Sequence, residues 1–146
     1  MPIRLHDTRR REKVNFTTLE PGKVSMYVCG VTVYDRCHLG HARCYLAFDL
    51  IHRWLEASGY DVQYVQNFTD IDDKIIQRAN ELDGDWQALV EQNIEAYFED
   101  MDALNILRAD VYPRCTEYVD DMIRITTDLI EKGHAYEAND LSLIHI

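Results

Sequence analysis

Hydrophobic and polar positions change period several times along the chain, and each change marks an element. Residues 24–30 read VSMYVCG, an apolar, β-rich run that ends at glycine and predicts a buried strand. A short loop over 31–37 follows. From His38 the spacing becomes helical, with Leu39, Ala42, Leu46, Phe48, Leu50, Ile51, Trp54 and Leu55 in one wide apolar stripe. Ser58-Gly59 stops that helix, because glycine readily takes the left-handed cap conformation. Residues 61–68, DVQYVQNF, alternate as a second strand. Strand, long helix and strand in this order make a βαβ unit, which implies an α/β fold with a parallel sheet and a right-handed crossover. Thr69-Asp70 is expected to cap a short helix, with Asp72 and Asp73 in its first turn, where the helix dipole favours negative charge. Asp83-Gly84 makes a turn, and two amphipathic helices follow over about 86–104 and 116–132, separated by a loop holding Pro113. They carry many of the acids, including Glu91, Glu95, Glu99, Asp100, Asp120, Asp121 and Glu131, which are expected on solvated faces.

Composition narrows the class. With 146 residues, 47% hydrophobic and 28% charged, the chain can bury a core and reads as globular. Its apolar runs fall short of the roughly 18 to 20 residues that span a bilayer. The basic start MPIRLHDTRRREK has no apolar stretch behind it, so no secretory signal is read and a cytoplasmic location is expected. Charge is uneven: residues 1–24 balance at +3 and the remainder at −14, within a total of −11. Phosphate contacts dominate nucleic-acid affinity, so this acidic surface argues against RNA being gripped mainly by this segment. The four cysteines, Cys29, Cys37, Cys44 and Cys115, show no CxxC spacing and are expected to be reduced thiols.

The chemistry lies in CGVTVYDRCHLGH, residues 29–41. His38 and His41 stand three apart at a helix start, on neighbouring faces, close to amides that carry partial positive charge. Gly40 between them removes a side chain and would let a flat ligand approach the backbone. The preceding strand delivers this loop to the carboxyl end of the sheet, the usual ligand crevice of such folds. Two imidazoles there could face the charge that develops in phosphate chemistry. HxxH alone is more often a polar helix cap, and the HExxH zinc-protease signature is absent. Cys29, at the end of a buried strand, would by itself read as a small hydrophobe.

The context changes those odds. YVCGVTVYDRCHLGHARCYLAFDLIHRWL, then YVQNFTDIDDKIIQRA, DALNILRAD and EKGHAY, in this order, resemble cysteinyl-tRNA synthetases of bacterial type over residues 3–140. The resemblance implies a Rossmann-like (HUP-type) parallel-sheet nucleotide-binding domain with flanking amphipathic helices. Residues 1–140 would be the amino-terminal part of the class I catalytic domain, and 141–146 an atypical tail. It implies ATP-dependent activation of cysteine and its transfer to the 3′ end of tRNA(Cys). His38 and His41 would be catalytic and, with Gly40, would bind ATP. Gly30 and Thr69 would line the amino-acid pocket. Cys29 would be one ligand of a zinc ion that binds the substrate thiol, a task that suits a thiophilic metal. Plain pockets separate isosteres by only about 1–3 kcal/mol. ATP is expected with Mg²⁺ held chiefly by its phosphates, so Asp70, Asp72 and Asp73 are assigned to capping. Cys37, Cys44 and Cys115 keep structural roles, and a monomer is expected.

The sequence departs from the family by its length. The remaining zinc ligands, a KMSKS-type loop and a tRNA-recognising helical region of the family are not in it, and LSLIHI at 141–146 replaces the usual turn and strand. A truncated enzyme is therefore expected, whose 146 residues alone do not aminoacylate. Three rivals remain. A cysteine ligase of mycothiol synthesis tends to have proline at the place of Val33 and lacks the Cys37-His38 pair. A non-catalytic nucleotide- or partner-binding module derived from the synthetase would not require the intact HLGH. A structural zinc domain built on Cys29, Cys37 and His41 has a spacing that fits no usual site.

Overall fold

The computed structural model describes residues 3–138 and 141–144. The chain begins with an antiparallel hairpin, β1 (Arg4–Asp7) and β2 (Glu12–Asn15), which the sequence reading left unassigned. Asp7 shapes its turn, accepting from the amides of Arg9 and Arg10 at 2.8 and 3.0 Å. Then come β3 (Lys23–Val28), α1 (Leu39–Ala57) and β4 (Asp61–Gln66). β3 and β4 pair in parallel from Lys23↔Asp61 to Val28↔Gln66, as the βαβ pattern implies. Gly59, at φ +88°, supplies the left-handed residue that ends α1.

Both strands stop two residues short of their predicted ends. After Val28↔Gln66, pairing resumes at Thr32↔Thr69, four residues on along one chain against three on the other. One extra residue is thus inserted at Cys29-Gly30, and a bulge of this kind re-aims side chains beside a sheet. The segment before Pro113 is not a plain loop either. It runs parallel along the far edge of β4, with bridges Val65↔Val111 and Phe68↔Arg114. Gln66 N donates to Val111 O at 3.1 Å, Phe68 N to Pro113 O at 2.9 Å and Cys115 N to Phe68 O at 3.1 Å. The register places residue 113 where an N–H would reach Gln66 O, and proline has none to offer. That missing bond is why this third strand is only partial.

α2 (Asp73–Glu81) and α3 (Trp86–Ala103) pack on this sheet, and Ile75, Val90, Ile94, Tyr97 and Met101 enter the core. Phe68 is at its centre, edge-on to Tyr97 and Phe98 and stacked on Tyr112 at 5.3 Å. Buried Gln66 is satisfied between two phenols: its Nε2 donates to Tyr97 Oη, and its Oε1 accepts from Tyr64 Oη at 2.9 Å. Beyond a 3-10 turn at Cys115–Tyr118, α4 (Val119–Glu131) leads into a second hairpin, β5 (Ala135–Ala138) with β6 (Leu141–Ile144). The tail expected at 141–146 therefore includes a strand, and residues 145–146 of it lie outside the described residues.

Three expectations are corrected. α2 is capped by Asp72, whose carboxylate accepts from Lys74 N at 2.9 Å, and not by Thr69-Asp70. Thr69 is held in the sheet extension instead, while Asp70 is 3% exposed and accepts from Thr116 N at 3.0 Å and from Thr116 Oγ1. α1 buries Tyr45, Asp49, His52 and Leu55, and leaves Leu39, Leu50 and Trp54 of its apolar stripe largely exposed. The reason is that Asp49 is an anchor, accepting from Arg53 Nε at 2.8 Å and Leu107 N at 2.9 Å. The last helix starts three residues later than expected, after the 3-10 turn. Among the described residues, no helix is long and apolar enough to cross a membrane.

Candidate functional site

His38 is the N-cap of α1, not its first helical residue. Its Nδ1 accepts from Gly40 N at 3.0 Å, and His41 Nδ1 accepts from His38 N at 3.3 Å. The rings stack at 3.9 Å between centroids and 19° between planes. The polar-cap reading of the pair thus holds, and it has a chemical consequence. A neutral imidazole has one donor and one acceptor, so use of Nδ1 as acceptor puts the proton of each ring on Nε2. Two N–H donors therefore stand at one helix start. Two backbone amides there are already engaged, Gly40 N by the His38 ring and His41 N by His38 O at 2.9 Å. The imidazoles, rather than those amides, are the donors left for an anion. Burial, and then the neighbouring His38, lower the pKa of His41 from 6.5, which keeps it neutral at neutral pH.

Gly40 has a local role as well. A Cβ there would lie 2.7 Å from His38 Cε1 and 2.9 Å from Nδ1, so glycine makes room for the capping ring. The loop before the helix is pinned from α3: buried Asn93 donates to Val33 O at 3.1 Å, and Arg36 reaches Asp100 at 3.1 Å. Asp100 is thus an anchor for this loop.

The second group of predicted residues gathers at the bulge. Cys29 is exposed with a free thiol. Gly30 runs so close to β4's extension that a Cβ would fall 1.5 Å from Asn67 O, which only glycine can satisfy. Thr69 is bonded to the same loop on both sides, with Thr69 N donating to Val31 O at 3.0 Å and Val33 N to Thr69 O at 3.3 Å. The sequence reading passed over Asn67, whose amide reaches Gly30, Tyr27, Thr69 and Cys115. An asparagine next to a predicted strand end was the available signal. Both groups follow β3 at the carboxyl end of the parallel pair, where α/β folds bind ligands. A cavity of about 720 Å³ is lined by Lys23, Val24, Asp61 and Val62 at the opposite ends of these strands.

The donor set at the bulge suits a soft metal at one position only. Cys29 is accessible and a thiolate is a natural zinc ligand. Among the described residues, no group of three or more His, Cys, Asp or Glu side chains gathers to hold a metal. Cys37 does not complete one with Cys29 and His41, because these three side chains do not gather among the described residues. Cys29 can serve as a single ligand of a set completed elsewhere.

Known proteins agree with this architecture. The model of the class I (C) tRNA synthetase catalytic domain matches residues 15–145. A cysteine–tRNA ligase of Cyanothece sp. is 53% identical over 136 residues, covering 93% of this chain and 28% of that protein. One of Thermococcus onnurineus is 54% identical over 140 residues, covering 96% and 29%. The chain thus spans under a third of the length of these curated relatives. Among solved structures, a methionyl-tRNA synthetase of Mycobacterium tuberculosis in complex with methionyl-adenylate superposes with TM-score 0.66 at 26% identity, over 77% of this chain and 23% of that one. A leucyl-tRNA synthetase of Agrobacterium radiobacter in a ternary complex with tRNA shares the fold, with TM-score 0.68 at 22% identity over 82% and 16%. The chain belongs to the class I (C) tRNA synthetase catalytic-domain family, whose curated relatives are cysteine–tRNA ligases.

Proposed function

We propose that this chain is the amino-terminal part of an enzyme that activates cysteine with ATP in the cytoplasm and passes it to the 3′ end of tRNA(Cys). The observation that carries the reading is the pair of Nε2–H donors on His38 and His41 at the start of α1, which follows the carboxyl end of β3 as the accessible Cys29 does. In activation, a cysteine carboxylate oxygen attacks the α-phosphorus of ATP and pyrophosphate leaves. Negative charge grows on the phosphate oxygens, and donors fixed in advance stabilise it most. The stacked rings, each held by a backbone amide, are such donors, and the lowered pKa of His41 spares the site a desolvated cation there. Gly40 keeps the helix start open beneath the nucleotide. Magnesium accompanies ATP, held chiefly by phosphates.

Gly30 and Thr69 line the amino-acid side of the crevice, with backbone positions fixed by the bulge. Cys29 supplies one thiolate to a zinc ion that, when bound, ligates the substrate thiol and separates cysteine from serine. The surface, acidic beyond residue 24, leaves the main grip on tRNA to other parts of a monomeric protein. The test is Cys29→Ser in the complete protein carrying this sequence. The wild type should hold one zinc per chain by atomic absorption, and the variant should lose it together with its preference for cysteine over serine. Full zinc content and unchanged selectivity in the variant would contradict the assignment.

A further inference from the structure

Asn67 lies between three chain segments that meet at the bulge. Its Oδ1 accepts from Gly30 N at 2.8 Å and from Tyr27 Oη at 2.9 Å. Its Nδ2 faces Thr69 Oγ1 at 3.4 Å and Cys115 Sγ at 3.9 Å. Gly30 N–H fixes the amide orientation, since a flip would set NH₂ against it, whereas the two hydroxyls and the thiol can each donate or accept. The two short bonds are strong and the two long ones weak, so the acceptor side dominates. The backbone is equally constrained, because Asn67 O occupies the space that a Gly30 side chain would need. Tyr27 is 64% exposed, so its hydroxyl is not bonded to Asn67 for want of water.

We propose that Asn67 is the positioning residue of the cysteine pocket, its amide locking Gly30, Tyr27 and Thr69 around the Cys29 thiol. The inference rests on the reading of Cys29, Gly30 and Thr69 as that pocket. Asn67 touches no reacting atom: it sets the distance between the strand that carries Cys29 and the strand that carries Thr69. Losing it frees the bulge, so the amino-acid subsite loosens while the histidines at α1, held by their own cap, keep theirs.

The test is cysteine-dependent ATP–pyrophosphate exchange by the complete protein and three variants. Asn67→Ala should raise KM for cysteine about tenfold, the effect of losing its part-buried hydrogen bond to Gly30 N and the contacts beside it, with KM for ATP within about twofold. Asn67→Asp keeps both strong acceptor contacts, now charge-assisted, and should recover KM for cysteine to within about threefold of wild type. Tyr27→Phe removes one of those contacts at an exposed position and should raise it about two- to threefold even where Asn67→Ala does not fold. Unchanged KM for cysteine in Asn67→Ala and Tyr27→Phe, beside an active wild type, would overturn the inference alone. An equal rise in both KM values would overturn it too, since that marks general loosening. A wild type without cysteine-dependent exchange would remove the underlying reading and the inference with it.

Discussion

At His38, one ring does two jobs that substitution can separate. Its Nδ1 caps α1 through Gly40 N, and under the proposed function its Nε2–H serves the nucleotide. Asparagine is among the best N-caps, whereas alanine forfeits about 1 kcal/mol. His38→Asn should therefore leave the denaturation midpoint unchanged, and His38→Ala should lower it. Both should slow cysteine activation by about 10²–10³-fold, as loss of a transition-state donor does. Equal activity in His38→Asn and wild type would leave the pair as a cap and nothing more. His41 adds a pH dependence. Its folded pKa lies below the 6.5 of the free side chain, so the unfolded chain takes up a proton first on acidification. Stability owed to His41 is then intact above about pH 6.5 and lost as pH falls below it. Urea midpoints of wild type and His41→Asn should converge between about pH 7.5 and 5.5, and a constant gap would contradict the shift. Residue types alone told much here. HLGH after an apolar strand marked the polar start of α1, and the ring-to-backbone cap that fixes the tautomers was not legible, because a sequence does not show which nitrogen of a histidine is engaged.

Elements were legible where period and punctuation agreed. β3, α1 and β4 follow from their apolar spacing and from Ser58-Gly59, and α1 ends at Ala57 as those residues require. The bulge at Cys29-Gly30 was not legible, because it depends on how two distant strands register. Nor was the partial strand before Pro113, since proline disguises a segment whose other backbone groups do pair with β4. Asp49 and Asn93 were invisible for a related reason: polar residues on helices read as solvated until a backbone partner is known. Asn93 allows a direct check. Its amide is buried and donates to Val33 O, holding the loop that leads to His38. Asn93→Ala leaves that carbonyl unpaired and should destabilise the fold by about 1–3 kcal/mol, read by chemical denaturation. It should also slow activation more than a remote core change of equal destabilisation. Loss of stability without that excess would confine Asn93 to packing.

A core lies under α2 and α3, and α1 and α4 carry apolar faces that the described residues leave open. Leu50 and Trp54 on α1, with Ile123 and Ile125 on α4, are more than half exposed. An accessible thiol and two imidazole donors follow the carboxyl end of β3, and among the described residues there is no three-ligand metal group. The 146-residue chain alone is accordingly expected to give no pyrophosphate exchange, and the complete protein to give it. The most direct measurement is ATP–pyrophosphate exchange by the complete protein with cysteine, serine, methionine and leucine offered separately at equal concentration. The account predicts exchange with cysteine and, against it, only traces with the other three. Exchange with methionine or leucine in preference to cysteine would contradict it.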